Sequence, residues 1–351
     1  MMDLLKSKST PIQLPYASLV VVILLIGLGM FSCKPAPPDW VKNTNSGPAL
    51  GTSYNISYLA HEELDYQKEI DSVFKVVNQS LSTYIPTSDI TKVNRGDNTL
   101  QVDHMFKEVF TLSKQVYQHT KGYFDPTVGA LVNAWGFGPE PQIIMDSTQV
   151  DSVLQYVGFN KVALSNTNTV LKENPNIYFD FNAIAKGYAI DRLALMLENK
   201  GITAYLVEVG GEVVAKGKNE IKNSSWSIGV DDPQLTSGRA IKLILDLDNK
   251  AMASSGNYRK FRIDSITGNK YVHTIDPKTG YTKNANVLAA TVIAANCATA
   301  DAYATAFMAM DLADSKALLA HAANLDAYII YLDADGETKE FMTPGFKSLV
   351  H

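Results

Sequence analysis

Residues 177–187 read Ile-Tyr-Phe-Asp-Phe-Asn-Ala-Ile-Ala-Lys-Gly. Ile177 to Phe181 predicts an apolar strand carrying one carboxylate, Asp180. From about Ile184 to Lys200 the pattern turns helical. Working outward, Tyr205–Val209 and Val213–Lys216 predict two strands joined across Gly210-Gly211, a hairpin signal. Trp226–Val230, Ala240–Leu247, Tyr271–Ile275 and Leu288–Ala294 predict further strands. Helices are expected from about Thr299 to Met310 and near Ser315–Ala323, before a last strand at Ala327–Leu332. Upstream, Thr52–Tyr58 alternates like a strand, and Ile70, Val73, Phe74, Val77 and Leu81 mark one helical face. Phe106, Val109, Phe110, Val116 and Tyr117 mark another, ending with Gly122 as a C′ residue. Strands adjoin in sequence with helices between them. That order predicts an α+β fold with a mixed, largely antiparallel sheet and packed helices.

The chain has 351 residues, is 46% apolar and 19% charged, and carries a net charge of −5. Its interspersed charges leave no footprint for nucleic acid or anionic lipid. The start differs. Lys6 and Lys8 precede an apolar run, Ala17–Phe31, shorter than the roughly 20 residues a spanning helix needs. The run reads as a signal-peptide core, and Ser32-Cys33 resembles a lipoprotein cleavage box in which Cys33 becomes the lipidated N-terminus. The expected organisation is a signal peptide over 1–32, a Pro/Asn/Ser-rich tether over 33–48, and a folded domain over 49–351. Cys297 is then the single remaining cysteine, so no intrachain disulfide can form.

Four segments could carry chemistry. Asp180 ends a strand, and Lys186 sits in the first turn of the following helix. A cation there opposes the helix dipole unless an anion such as phosphate lies in front of it. The same residues also suit an exposed lysine and an N-capping Asn182. Asp301 and Thr305 are four apart among alanines and share one helical face. They form a sparse hard-oxygen patch that suits Mg²⁺ shared with substrate phosphates, or else a capping acid and a self-bonded threonine. His273 precedes the turn Asp276-Pro277-Lys278-Thr279-Gly280, where a proton acceptor could be held rigidly or serve structure alone. Aromatics and glycines alternate at Gly122-Tyr123-Phe124-Asp125 and Trp135-Gly136-Phe137-Gly138, which suits a flat-ring pocket or a tight core corner.

Taken together and in order, these segments resemble the ApbE family, the FAD:protein FMN transferases. The motifs are G-T-S-Y at Gly51, L-S-T-Y ending at Tyr84, F-D-P-T-V-G at Phe124, and A-I-A-K-G-Y-A at Ala183. They continue with V-G-G-E at Val209, S-S-G-N-Y-R at Ser254, H-T-I-D-P-K-T-G at His273 and A-D-A-Y-A-T-A at Ala300. The resemblance covers almost all of residues 49 to 345. It implies that flavin lies in a cleft between lobes. Asp301, Thr305 and the Ala183 carbonyl would bind Mg²⁺. Lys186 and Asp180 would address FAD, with Ile275 packed nearby, and Tyr123, Phe124 and Asp125 would form another wall. Leu50 would add a contact, Tyr84 would stack on the isoalloxazine, and His273 would act as base. Three positions depart from the pattern: Leu50 where methionine is common, Asn182 where a small residue is frequent, and Glu212 where asparagine or aspartate is common. The implied acceptors resemble Na⁺-translocating NADH:quinone reductase and Rnf-type subunits, which fits a lipid-anchored protein on the periplasmic side of a bacterial envelope. An FAD pyrophosphatase and a non-catalytic flavin-binding lipoprotein are the alternatives.

Overall fold

Residues 39–232, 240–257, 261–263, 270–283 and 286–351 are described by a computed structural model of the chain. The expected signal peptide, Cys33, and Tyr258-Arg259 of the Ser254 motif lie outside the described residues.

The described chain opens with a hairpin, β1 (Val41–Ala49) and β2 (Thr52–Ala60). Three helices follow: α1 (Gln67–Leu81), α2 (Asp89–Asn94) and α3 (His104–His119). Then come α4 (Gly129–Ala134), α5 (Ser147–Leu154) and a small ribbon of β3 (Val162–Leu164) with β4 (Val170–Lys172). The long α6 (Asn182–Asn199) leads into the hairpin β5 (Tyr205–Val209) and β6 (Glu212–Lys216). β7 (Trp226–Asp231) pairs with β8 (Ile241–Leu247), and β9 (Lys250–Gly256) follows. β10 (Phe261–Ile263) pairs with β11 (Lys270–Val272) before β12 (Val287–Ala294). The end of the chain is α7 (Cys297–Ala309), α8 (Leu312–His321), β13 (Asp326–Leu332), β14 (Thr338–Met342) and α9 (Pro344–Lys347).

Eight strands form one sheet in the order β1-β2-β5-β6-β9-β12-β13-β14. Each neighbouring pair in it is antiparallel. One face packs Tyr54, Ile56, Val207, Val209 and Val214 against Phe74 of α1 and Ile190, Leu193 and Leu197 of α6. The other packs Val213, Met252, Ile293 and Tyr328 against Trp226, Ile228, Leu245 and Leu247 of the β7–β8 ribbon. A strand covered on both faces loses its polar alternation, which is why Glu212, Val213, Val214 and Ala215 are all buried. At roughly 25 cal/mol per Å² of apolar surface, this double burial is the sheet's main source of stability. Residues Trp40–His351 form one compact unit.

Four expectations are corrected. Val41–Pro48, read as tether, is a strand. Its inward positions are asparagines rather than apolar residues, which hid the alternation. Asn43 accepts the Leu64 N–H at 2.8 Å, and Asn45 donates to Asp65 at 2.8 Å and accepts from the Tyr58 hydroxyl at 3.0 Å. Ile177–Phe181 joins no ladder: Phe179 exchanges two hydrogen bonds with the Asn94 side chain, and Tyr178 makes one parallel bridge to Val128. Gly122 lies one position beyond C′. The Gly122 N–H donates to the Tyr117 carbonyl at 2.8 Å and the Lys121 N–H to Gln118 at 3.2 Å, a Schellman closure with Lys121 at φ 53. Past Val272 the expected strand stops, and Ile275 makes a single bridge to Thr282. β9 escaped notice because Ala, Ser and Gly are weak strand formers; its pairing with β6 and β12 supplies what propensity lacks. Among the described residues no helix is long and apolar enough to cross a membrane.

Candidate active site

The site is built where α6 begins and crosses α7. Phe181 is the N-cap of this helix and Asn182 its first residue, whose N–H donates to Asp180 at 2.7 Å, so Asn182 is not the cap. Burial pushes the Asp180 carboxyl up, against the hydrogen bonds from Asn182. One turn on, Gly187 lies hard against the start of α7. A Cβ on it would sit 2.4 Å from the Cys297 carbonyl oxygen and 2.9 Å from the Ala298 Cα, so only glycine permits this approach. Below it, Asp191 accepts the N–H groups of Cys297 at 2.7 Å and Ala298 at 2.8 Å, and the Asn296 side chain accepts from Thr299 at 2.9 Å. These bonds satisfy the first amides of α7 and fix its register against α6. Burial raises the Asp191 carboxyl to about 6.

With the crossing fixed, the Gly187 N–H donates to Asp301 Oδ2 at 3.0 Å. Helical geometry aims that same amide at the Ala183 carbonyl, so Ala183 O and the Asp301 carboxylate are neighbours. Burial pushes the Asp301 carboxyl up, opposed by Lys186 and by the Gly187 hydrogen bond. Thr305, one turn along α7, holds its Oγ1 3.3 Å from Ser255 Oγ on β9. The Lys186 ammonium stands 2.6 Å from Glu212 Oε2. Glu212 is buried, and burial lifts its carboxyl to about 7 despite Lys186. Lys186 stays above the ordinary lysine range: burial lowers it, but Glu212 and then Asp301 more than compensate. Glu212 Oε2 is buried and receives no well-directed hydrogen bond.

Two hairpin tips bring in the other contacts. Leu50 and Gly51 turn with φ of 50° and 75°. Leucine rarely adopts that backbone, at about 1–2 kcal/mol, and here its side chain packs against two core clusters. Gly210 donates its N–H to the Ser53 carbonyl at 3.0 Å, and a Cβ on it would meet Thr52 Cγ2 at 2.8 Å. The tip that ends in Glu212 therefore abuts the tip that carries Leu50. A cavity of about 70 Å³ opens beside them, lined in part by Gly210, Gly211, Ser254 and Ser255. A larger one of about 480 Å³ lies between Glu108, Arg192, Glu198 and Lys216 and reaches the helix crossing at Asp191, Asn296 and Ala298, without touching Lys186, Glu212 or Asp301.

The His273 turn is held by contacts of its own. Lys278 Nζ lies 3.8 Å from the Tyr123 ring centroid, and Trp135 Nε1 donates to the Gly280 carbonyl at 2.8 Å. Ile275 is buried beneath the turn with Leu131, Trp135 and Val150. His273 is half-buried at its start, next to Thr274, whose hydroxyl donates to Asn257 at 2.7 Å. Of the expected aromatic wall, only Tyr123 offers a side chain to the surface. Phe124 belongs to the main core. Asp125 points inward and accepts from the Thr127 N–H and hydroxyl at 2.8 and 2.6 Å and from the Phe159 N–H at 3.1 Å. Burial raises its carboxyl to about 6. Tyr84 is 59% exposed beyond the end of α1, an open flat face; partial desolvation, with Asp180 adding, raises its hydroxyl.

Sequence reasoning missed Asp191, Lys278 and Ser255. Asp191 had a signal, being one helical turn past Gly187 on the face that meets α7.

The scaffold is α+β, with a buried acid–lysine cluster beside a hydroxyl where two helices cross. The chain belongs to the ApbE family, whose profile matches residues 50–329. It is 35% identical over 306 residues to the FAD:protein FMN transferase of Haemophilus influenzae, covering 83% of this chain and 87% of that one. It is 30% identical to the Escherichia coli K12 protein of the same name, with 87% and 88% covered. The structure of the flavin transferase ApbE from Vibrio cholerae superposes with a TM-score of 0.77 at 32% identity, over 89% of this chain and all of that one. The apo Pseudomonas stutzeri flavinyl transferase ApbE also gives 0.77, at 26% identity, over 88% of this chain and 97% of that one.

Proposed function

We infer that this chain transfers FMN from FAD to a hydroxyl of an acceptor protein and releases AMP. The observation that carries the reading is the crossing of α6 and α7. It brings the Asp301 carboxylate to the Gly187 amide at 3.0 Å, with the Lys186 ammonium in the same charge cluster. The residues fit a divalent cation: one fully desolvated carboxylate, a hydroxyl and a helix-start carbonyl suit Mg²⁺ completed by substrate phosphates. Among the described residues no group of three or more His, Cys, Asp or Glu is placed to hold a metal, and this sparse set needs none. Bound there by Asp301, Thr305 and Ala183 O, Mg²⁺ would supply charge neutralisation on the diphosphate.

The chain's own residues do the rest. Lys186 offsets negative charge on the diphosphate, and Tyr84 covers the flavin face. Tyr123 and the Lys278 turn border the opposite side, and Leu50 closes one end. His273 takes the proton of the acceptor hydroxyl, whose oxygen then bonds to the FMN-side phosphorus. The phosphoanhydride breaks and its bridging oxygen leaves on AMP, so FMN remains as a phosphoester. Acceptors of the Na⁺-translocating NADH:quinone reductase and Rnf type, and lipidation at Cys33 on the periplasmic side, complete the reading. Replacing Cys33 by alanine should release the protein from the membrane fraction.

The test mixes the chain with FAD and an acceptor domain, with and without Mg²⁺, and reads the acceptor's mass. A Mg²⁺-dependent gain of one FMN with AMP released is expected. FMN and AMP in solution with unmodified acceptor would turn the reading to a hydrolase.

A further inference from the structure

Glu212 departs from the residue types common after the Gly-Gly turn, and the reaction above gives it no part. Its surroundings are specific. It is the first residue of β6, its carboxylate is buried, and Oε2 lies 2.6 Å from Lys186 Nζ. Two buried carboxylates, Glu212 and Asp301, act on that one ammonium. Lys186 forms its ion pair with Glu212 and not with Asp301. Asp301 instead takes the Gly187 N–H.

We propose that Glu212 is a positioning residue that holds Lys186 away from Asp301 and so keeps Asp301 available to the divalent cation. This rests on the metal assignment made under Proposed function. With both acids ionised, one ammonium against two carboxylates leaves the cluster with one net negative charge, which favours a dication. If residue 212 were neutral, Asp301 would be the remaining acid acting on Lys186. The ammonium would turn to it, because a buried charge without a partner is strongly unfavourable. The lysine would then occupy the cation's position and the cluster would be neutral. The longer glutamate side chain suits this role, since it reaches Lys186 from the end of a strand that the Gly210–Gly211 turn holds against Thr52.

The test measures Mn²⁺ binding to the full chain by electron paramagnetic resonance, with no FAD present, in a double-mutant cycle. Glu212→Gln should weaken Mn²⁺ by at least about tenfold, as for loss of a close charge partner. In a Lys186→Met background the same change should have an effect of less than about threefold, because no lysine is left to compete. Glu212→Asp should fall between wild type and Glu212→Gln. Thermal unfolding of each variant controls for folding. An equal loss in both backgrounds would make Glu212 a plain through-space charge and overturn the proposal, as would no loss in either. Failure of the wild type to bind Mn²⁺ would remove the metal assignment and this proposal together, an outcome distinct from the other two.

Discussion

The Gly187 amide donates to Asp301 Oδ2 at 3.0 Å, a contact between residues 114 positions apart. It exists because a Cβ at 187 would lie 2.4 Å from the Cys297 carbonyl oxygen, so glycine alone lets the helices meet. Gly187→Ala should therefore destabilise the fold by about 1–3 kcal/mol, the usual range for overpacking against backbone. It should also weaken FAD turnover by displacing Asp301. Urea unfolding and turnover read the two effects, and an unchanged midpoint would show that α7 can slide without loss.

Asp301 is one of two buried carboxylates in the cluster, and burial disfavours its charge unless a cation is near. Asp301→Ala should abolish Mg²⁺-dependent transfer, a loss on the order of a hundredfold or more. Chelation of the wild type should do the same, and added Mg²⁺ should restore the wild type but not the variant. Wild-type turnover in the variant would move the metal elsewhere.

Much of this architecture was legible in sequence because the helices and inner strands carry strong periodicity. Ile70, Phe74, Val77 and Leu81 recur at helical spacing and are all buried. The edge strand β1 was not legible, since its inward Asn43 and Asn45 gain burial through hydrogen bonds with residues 62–65. Spacing put Asp301 and Thr305 on one helical face, Lys186 in a first helical turn and His273 before a rigid turn, but each also suited structure alone, and their roles came from the resemblance. That Phe124 and Asp125 turn inward was not, because an aromatic beside an acid reads equally well as a pocket wall. The Lys186–Glu212 pair joins a helix start to a hairpin end, and no local pattern announces it.

Asp125 gives a pH signature. Burial raises its folded carboxyl to about 6, above its unfolded value. The sign is that of a raised pKa: the folded state binds the proton more tightly, so the contribution is full below about 4 and lost as pH climbs through about 6. The stability of wild type minus that of Asp125→Asn should fall by roughly 2 kcal/mol between pH 4 and pH 7. Paired denaturation curves at the two pH values measure it. A difference that grows with pH would mean the hydrogen bonds from Thr127 and Phe159 outweigh burial.

His273 stands at the start of a turn held by the Lys278–Tyr123 contact and the Trp135–Gly280 hydrogen bond. As the base it should matter to chemistry more than to binding. His273→Ala should keep FAD affinity within about threefold while transfer falls by about 10²–10⁴-fold. Flavin fluorescence and acceptor mass separate the two quantities, and wild-type transfer would assign the proton to another group.

Tyr84 is the exposed aromatic of the cluster, with an open ring face beside Asp180. A ring laid over bound flavin would exclude water from the phosphorus and leave the acceptor hydroxyl as the nucleophile. Tyr84→Asn removes the face but keeps a polar side chain. The ratio of transferred to free FMN should fall by about tenfold, since one aromatic stacking contact is worth about 1–3 kcal/mol. Total FAD consumption should change less than the ratio, because Asp301, Lys186 and His273 are untouched. The ratio is read from acceptor mass against FMN released, at fixed acceptor concentration. A ratio that stays constant while both rates fall together would make Tyr84 a binding contact only, and would place water exclusion with the Leu50 tip or with the acceptor itself.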